Sequence, residues 1–284
     1  MQPTYELSKA FQGEEHQPFF LHGSERQAAL LVHGFPGTPA EMRPFAQVLH
    51  TAGWTVQGVL LPGFGPDIET LAERTHAEWL TAVRTALRDL QAEYEHVILV
   101  GHSMGGALCI EIAATAPTPP QALILFAPFW KLTHVLWEGM PVLKYLFPQP
   151  RIFRVLNLDF NDPEVRAGIH NFMPDIDLDD PQTQQAIRDF PVPVKMFAQI
   201  YEAGRNAHRL APMIRIPALV FQGQADELVR PHLTMHMVKR FGGEMNYHAL
   251  YGEHNIISPT TPDWPKITQY ALDFLKSHEW VGTA

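Results

Sequence analysis

An apolar run, Val97 to Val100, enters the turn GHSMGG and leaves it as a second apolar stretch, ALCIEIAA (Ala107 to Ala114). Few folds accept that pattern. A buried strand must reverse in one tight turn and start a helix that lies against the same strand. Small residues at Gly101, Gly105 and Gly106 permit such close backbone approach. A turn this sharp also holds its central residue, Ser103, in a sparsely populated backbone conformation and lifts its side chain clear of the main chain.

The flanking sequence repeats the alternation of strand and helix. Ala28 to Val32 is a compact apolar run. Thr38 reads as a helix cap, with Pro39 at the first helical position and Glu41 completing a capping box. Met42, Phe45, Val48 and Leu49 follow at helical spacing. Trp54 to Leu61 reads as a strand. Thr75 and Glu78 predict a second capping box, opening a helix whose one face carries Trp79, Leu80, Val83, Ala86, Leu87 and Leu90. Further strands are expected at His96 to Val100, Ala122 to Ala127, Ala218 to Phe221 and Tyr247 to Leu250. A last helix is marked by Ile267, Tyr270, Ala271, Phe274 and Leu275. Strand and helix in alternation predict an α/β protein with a mostly parallel sheet covered by helices on both faces.

Between Phe129 and Pro212 the rhythm breaks. The stretch carries Trp130, Trp137, Met140, Tyr145, Phe147 and Phe153, then an acidic segment, and is interrupted by prolines. It reads as a helical cap inserted at 129–212 into a core formed by 1–128 and 213–284. Trp130, Trp137, Met140 and Phe147 are candidate walls of an apolar substrate pocket, although buried aromatics serve packing equally well.

The segment VGHSMGG contains G-x-S-x-G between a strand and a helix, which makes Ser103 a candidate nucleophile. A serine hydroxyl needs a base to take its proton. Among 15 histidines, His254 in LYGEHNI lies just after the expected last strand and before the last helix. Asp226, in ALVFQGQADELV, follows an earlier strand end. The chain order Ser103, Asp226, His254 suits a triad on a sheet of this kind. Glu227 adjoins Asp226 but points elsewhere, His248 falls within a strand, and His102 reads as a packing or hydrogen-bonding residue. In HGFPGTP (His33 to Pro39), the backbone N–H of Phe35 is one candidate oxyanion donor. The N–H of Met104, after the nucleophile, is the second. His33 reads as a stabiliser of that loop.

Bulk properties exclude other classes. With 30 acidic and 21 basic side chains the formal charge is −9, unlike a nucleic-acid surface. The single cysteine, Cys109, rules out an intrachain disulfide and a cysteine metal cage, and reads as a buried, inert thiol. DIDLDD (Asp175 to Asp180) has aspartate and alanine where a calcium loop needs glycine and glutamate. His232 and His236 lack the intervening glutamate of a zinc protease. No stretch reads as a signal peptide or a membrane span, and a cytoplasmic location is expected.

Taken in order, HGFPGTP, LPGFG (Leu61 to Gly65), GHSMGG, the Asp226 segment and GEHN make the chain resemble the α/β-hydrolase superfamily. Within it, PFFLHGSERQAALLVHGFPGTP and the ending ALDFLKSHEW look most like bacterial carboxylesterases and monoacylglycerol lipases. The likeness covers roughly Pro18 to Pro128 and Ala211 to Trp280. It implies an eight-stranded sheet, a cap over the site, no cofactor, and hydrolysis of a small-molecule ester through an acyl-enzyme. It carries over Ser103, Asp226 and His254 as triad and Phe35 and Met104 as oxyanion donors. Carbon–carbon bond hydrolase, lactonase, thioesterase, perhydrolase and acyltransferase chemistry share such a site, and a non-catalytic binding module could keep the fold.

Overall fold

The computed structural model describes residues 7–132, 159–163, 165–166, 169, 176–189 and 194–278. Seven strands form one sheet: β1 (Phe19–Leu21), β2 (Gln27–Val32), β3 (Thr55–Val59), β4 (His96–His102), β5 (Leu123–Phe126), β6 (Ala218–Gly223) and β7 (Met245–Leu250). Their spatial order is β1-β3-β2-β4-β5-β6-β7, with β1 antiparallel to β3 and every other pairing parallel. The eight strands implied by the resemblance are therefore seven among the described residues. Upstream of β1 the chain makes two short 3-10 turns, Leu7–Phe11 and Glu14–His16, so β1 is left as the edge.

The strands are apolar on both faces because helices cover both. In β2, Ala28, Leu30 and Val32 face one layer while Ala29 and Leu31 face the other. The first layer holds α2 (His76–Glu93), through Trp79, Val83 and Leu87, and α3 (Met104–Thr115), through Leu108 and Ile112. The second holds α1 (Pro39–Thr51), through Met42, Phe45 and Leu49, and a C-terminal helix at Trp264–Ser277, through Ile267, Ala271 and Leu275. α2 starts with the expected capping box: Glu78 N–H donates to Thr75 Oγ1, and Thr75 N–H donates to the Glu78 carboxylate.

The capping box expected at Thr38 does not form. Thr38 Oγ1 accepts the N–H of Ala40 and meets His16 Nδ1, while Glu41 turns away toward His102 and Gly34. The buried His102 imidazole and the Gly34 N–H compete better for that carboxylate than an exposed helix end.

From β5 the chain leaves the sheet and returns at β6, which pairs with β5 in parallel register from Leu123↔Ala218 to Phe126↔Phe221. The described part of that excursion includes α4 (Pro181–Asp189) and α5 (Val194–Leu210). α5 lies on the core. Asn206 Nδ2 donates to Glu111 Oε1 on α3, and the Gln199 side chain accepts the N–H of His76 at the start of α2. Gly204 lets α5 close on the backbone of Trp130, whose carbonyl oxygen would lie 2.3 Å from an added Cβ. Trp137, Met140 and Phe147, named above as candidate pocket walls, lie outside the described residues. α6 (Pro231–Val238) precedes β7, and the helix at Trp264–Ser277 is α7.

Candidate active site

Parallel strands place their carboxyl ends along one edge of the sheet, where the loops after β2, β4, β6 and β7 meet. Ser103 sits at the turn between β4 and α3 with φ 49° and ψ −116°, a left-handed conformation that costs a non-glycine residue about 1–3 kcal/mol. The surrounding glycines make the turn possible. A Cβ on Gly105 would lie 2.2 Å from the carbonyl oxygen of Val32, and one on Gly101 would lie 2.7 Å from the backbone of Gly105 and Gly106. Both obstructions are main chain, which cannot step aside.

His254 lies in the loop after β7. Its Nε2 is 2.9 Å from Ser103 Oγ, and its Nδ1 is 2.8 Å from Asp226 Oδ2. Asp226 is buried, and its neighbour Glu227 is exposed. The Asp226 carboxylate accepts the N–H groups of Val229 (2.7 Å) and Leu228 (3.0 Å) on Oδ1, and Gln222 Nε2 (2.9 Å) on Oδ2. With all those donors pointed at it, this carboxylate is fixed in place and can orient an imidazole. An imidazole so held can take the serine proton.

The loop after β2 approaches from the other side. His33 is fully buried, and its Nε2 accepts the N–H of Leu61 while its Nδ1–H donates to the Gly34 carbonyl. This tautomer is neutral, and burial above all pulls the His33 pKa below the ordinary imidazole value despite the nearby Glu41 charge. His33 thus ties the loop to the segment after β3. The N–H groups of Phe35 and Met104 find no protein acceptor among the described residues. The Phe35 ring meets Phe64 edge-on at 6.1 Å and Phe197 of α5 at 6.0 Å.

Trp130 Nε1 donates to the Leu233 carbonyl, and its ring stacks on His208 at 4.1 Å, with His236 beyond. His248 lies on β7 and stacks on Tyr270 at 4.0 Å. Cys109 is buried on α3, and burial pushes its thiol well above the ordinary range. No group of three or more His, Cys, Asp or Glu side chains is arranged to hold a metal among the described residues, and none of the described helices is long and apolar enough to cross a membrane.

Two residues of the site are not singled out by sequence pattern. Glu41 has the spacing of a helix cap. Gln222 falls just past the expected strand Ala218 to Phe221, though a polar residue at the end of the apolar run is itself a signal. Gln222 is fully buried; its Nε2 donates to Asp226 and Val229 O, and its Oε1 accepts Thr234 Oγ1–H at 2.6 Å. Gln222→Leu removes one donor from Asp226 and strands the Thr234 hydroxyl. The expected result is a loss of about 1–3 kcal/mol in a urea melt, together with slower turnover.

The model of the family described as serine aminopeptidase, S33, matches residues 23–255. The chain belongs to that family. Over 101 residues it is 35% identical to the thermostable monoacylglycerol lipase of Bacillus sp. (strain H-257), covering 36% of this chain and 40% of that one. Over 130 residues it is 28% identical to a carboxylesterase of Bacillus subtilis (strain 168), covering 45% and 52%. The matched stretches thus span about half the length of these relatives or less. Among solved structures, one from LipS and LipT, two metagenome-derived lipolytic enzymes, superposes with a TM-score of 0.70 at 22% identity, covering 93% of this chain and 99% of that chain. The monoacylglycerol lipase of Paleococcus ferrophilus gives 0.69 at 20% identity, covering 92% and 98%. These likenesses establish the α/β-hydrolase fold.

Proposed function

We propose that this S33-family chain is a serine hydrolase that cleaves carboxylic esters through an acyl-enzyme. The observation that carries the reading is the unbroken hydrogen-bonded line from Ser103 Oγ through His254 to Asp226, set on a strained turn. In this mechanism Ser103 Oγ attacks the ester carbonyl carbon while His254 Nε2 takes its proton. The negative charge passes to the carbonyl oxygen, to which the N–H groups of Phe35 and Met104 donate hydrogen bonds. Collapse expels the alkoxide, and His254 returns the proton to it. Water then attacks the acyl carbon as His254 takes its proton, and collapse breaks the bond to Ser103 Oγ, which His254 reprotonates as the acid leaves.

The named relatives, a monoacylglycerol lipase and a carboxylesterase, favour esters over amides and support an apolar acyl group. The half-buried ring of Phe35, between Phe64 and Phe197, offers one apolar wall beside the proposed oxyanion donors. Residues 129–212 are proposed as the cap, with α5 as the arm that seats it on the core.

A series of p-nitrophenyl esters from acetate to dodecanoate, ranked by kcat/KM, tests the acyl preference. The maximum is expected at butyrate or longer. A maximum at acetate with no turnover by octanoate would refute the apolar acyl pocket. Aminoacyl p-nitroanilides, run beside them, should turn over far more slowly.

A further inference from the structure

Behind the proposed triad lies a second pair of ionisable side chains that the mechanism above does not use. His102, the last residue of β4, is buried directly beneath Ser103, and Glu41 reaches it from the first turn of α1. His102 Nδ1 is 3.1 Å from Glu41 Oε1, and His102 Nε2 is 3.3 Å from the main-chain oxygen of His254. The same Glu41 oxygen accepts the N–H of Gly34 in the oxyanion loop. A carbonyl and a carboxylate both only accept. Both ring nitrogens of His102 must therefore donate, which requires the imidazolium, since neutral histidine has one N–H.

We propose that the Glu41–His102 ion pair is a positioning element that fixes the oxyanion loop, the serine turn and the His254 loop relative to one another. The site is aligned only while His102 carries its second proton. This proposal rests on the serine-hydrolase reading.

The neighbours agree with that charge. Burial pulls His102 down, but the Glu41 charge and hydrogen bond, the His254 carbonyl and the more distant Asp226 outweigh it and hold His102 above the ordinary imidazole value. Burial pushes Glu41 up, but the His102 charge and hydrogen bond, with the Gly34 N–H, outweigh it and hold the carboxyl below its usual range. His33, at the end of β2, is neutral and adds no second cation. The His254 ring faces His102 at 5.1 Å between centroids. No other ring is found stacked on His102 among the described residues.

The sign follows from the raised value. The working form exists below the His102 pKa and is lost as pH rises through it. An alkaline fall in reactivity is therefore expected above the ordinary imidazole range. Glu41→Gln keeps an acceptor for Gly34 but removes the negative charge, so the fall should move to lower pH.

The test reads the proposed nucleophile without needing its natural substrate. Fluorophosphonate labelling of Ser103 is followed across pH for wild type and Glu41→Gln, separating the inactivation rate constant from the probe's binding constant. A positioning pair acts on alignment and not on probe binding, so the rate constant should fall ~10–100-fold, as small misplacements of reacting groups do, with binding unchanged. Histidine side-chain NMR of the wild type, which needs no variant to fold, should give a His102 titration midpoint coincident with the alkaline fall in labelling. Gly37→Ala supplies a second variant: its Cβ would lie 2.3 Å from Glu41 Oε2, displacing the carboxylate with its charge intact. It should slow labelling in the same way. A Glu41→Gln protein labelled at the wild-type rate and pH profile would overturn the positioning role. So would a His102 that titrates below the ordinary value. Absence of any Ser103 adduct in the wild type would instead overturn the hydrolase reading, and this inference with it.

Discussion

Replacing Ser103 with alanine is expected to lower ester turnover by ~10⁶-fold, because members of such a triad act as a unit and their losses are not additive. The structure adds a second expectation for the same variant. Ser103 has φ 49°, which alanine tolerates no better, so the backbone strain stays while the hydroxyl goes. Its side chain caps nothing: Ser103 makes no side-chain hydrogen bond at the start of α3, and the bond lost is the one to His254. Folding stability should therefore change little while activity collapses. Steady-state hydrolysis of p-nitrophenyl butyrate, with a urea melt of the same preparation, separates the two. A variant that keeps a tenth of wild-type turnover would remove Ser103 from the mechanism, and Gln222 and Glu41 would lose their assigned purpose with it.

Much of this site is legible in the sequence, for physical reasons. β2, β4, β5 and β6 are buried on both faces, so each appears as a nearly unbroken apolar run, and β2, β4 and β6 end where a glycine or polar residue begins the loop. Ser103 and Asp226 sit just past the ends of β4 and β6, and His254 follows the last strand, β7, so chain order locates them. β1 was invisible because three residues, Phe19–Leu21, on a sheet edge carry no periodicity. Glu41 shows a different limit. Thr38 with Glu41 and Thr75 with Glu78 have the same spacing and both predict a capping box, yet only the second forms. Glu78 has its own helix end, solvent and Arg74, four residues before it, all local. Glu41 has the His102 imidazole and the Gly34 N–H, brought to it by strands that meet only in the fold. Sequence spacing reports what a side chain can reach locally and is blind to a stronger partner delivered from 61 residues away.

Asp226→Asn is the sharper probe of the proposed chemistry, since it alters no shape. Every group around the carboxylate donates: Val229 and Leu228 N–H to Oδ1, and Gln222 Nε2 and His254 Nδ1 to Oδ2. The two main-chain donors fix the amide oxygen at the Oδ1 position, so the amide nitrogen must take the place of Oδ2 and face two further donors. Gln222 cannot relieve this by flipping, because its oxygen already accepts from Thr234 and its nitrogen donates to Val229 O. The imidazole can: His254 changes tautomer, accepts at Nδ1 and carries its proton on Nε2. It then presents a hydrogen to Ser103 where the reaction needs a lone pair. Turnover should fall by ~10⁴-fold, the size of effect that a wrong histidine tautomer produces in a serine hydrolase. The pH dependence of fluorophosphonate labelling provides the check. If the tautomer is the cause, labelling should recover at high pH, where hydroxide substitutes for the missing base. A loss below tenfold, or one that pH leaves untouched, would mean that Asp226 serves the loop more than the imidazole.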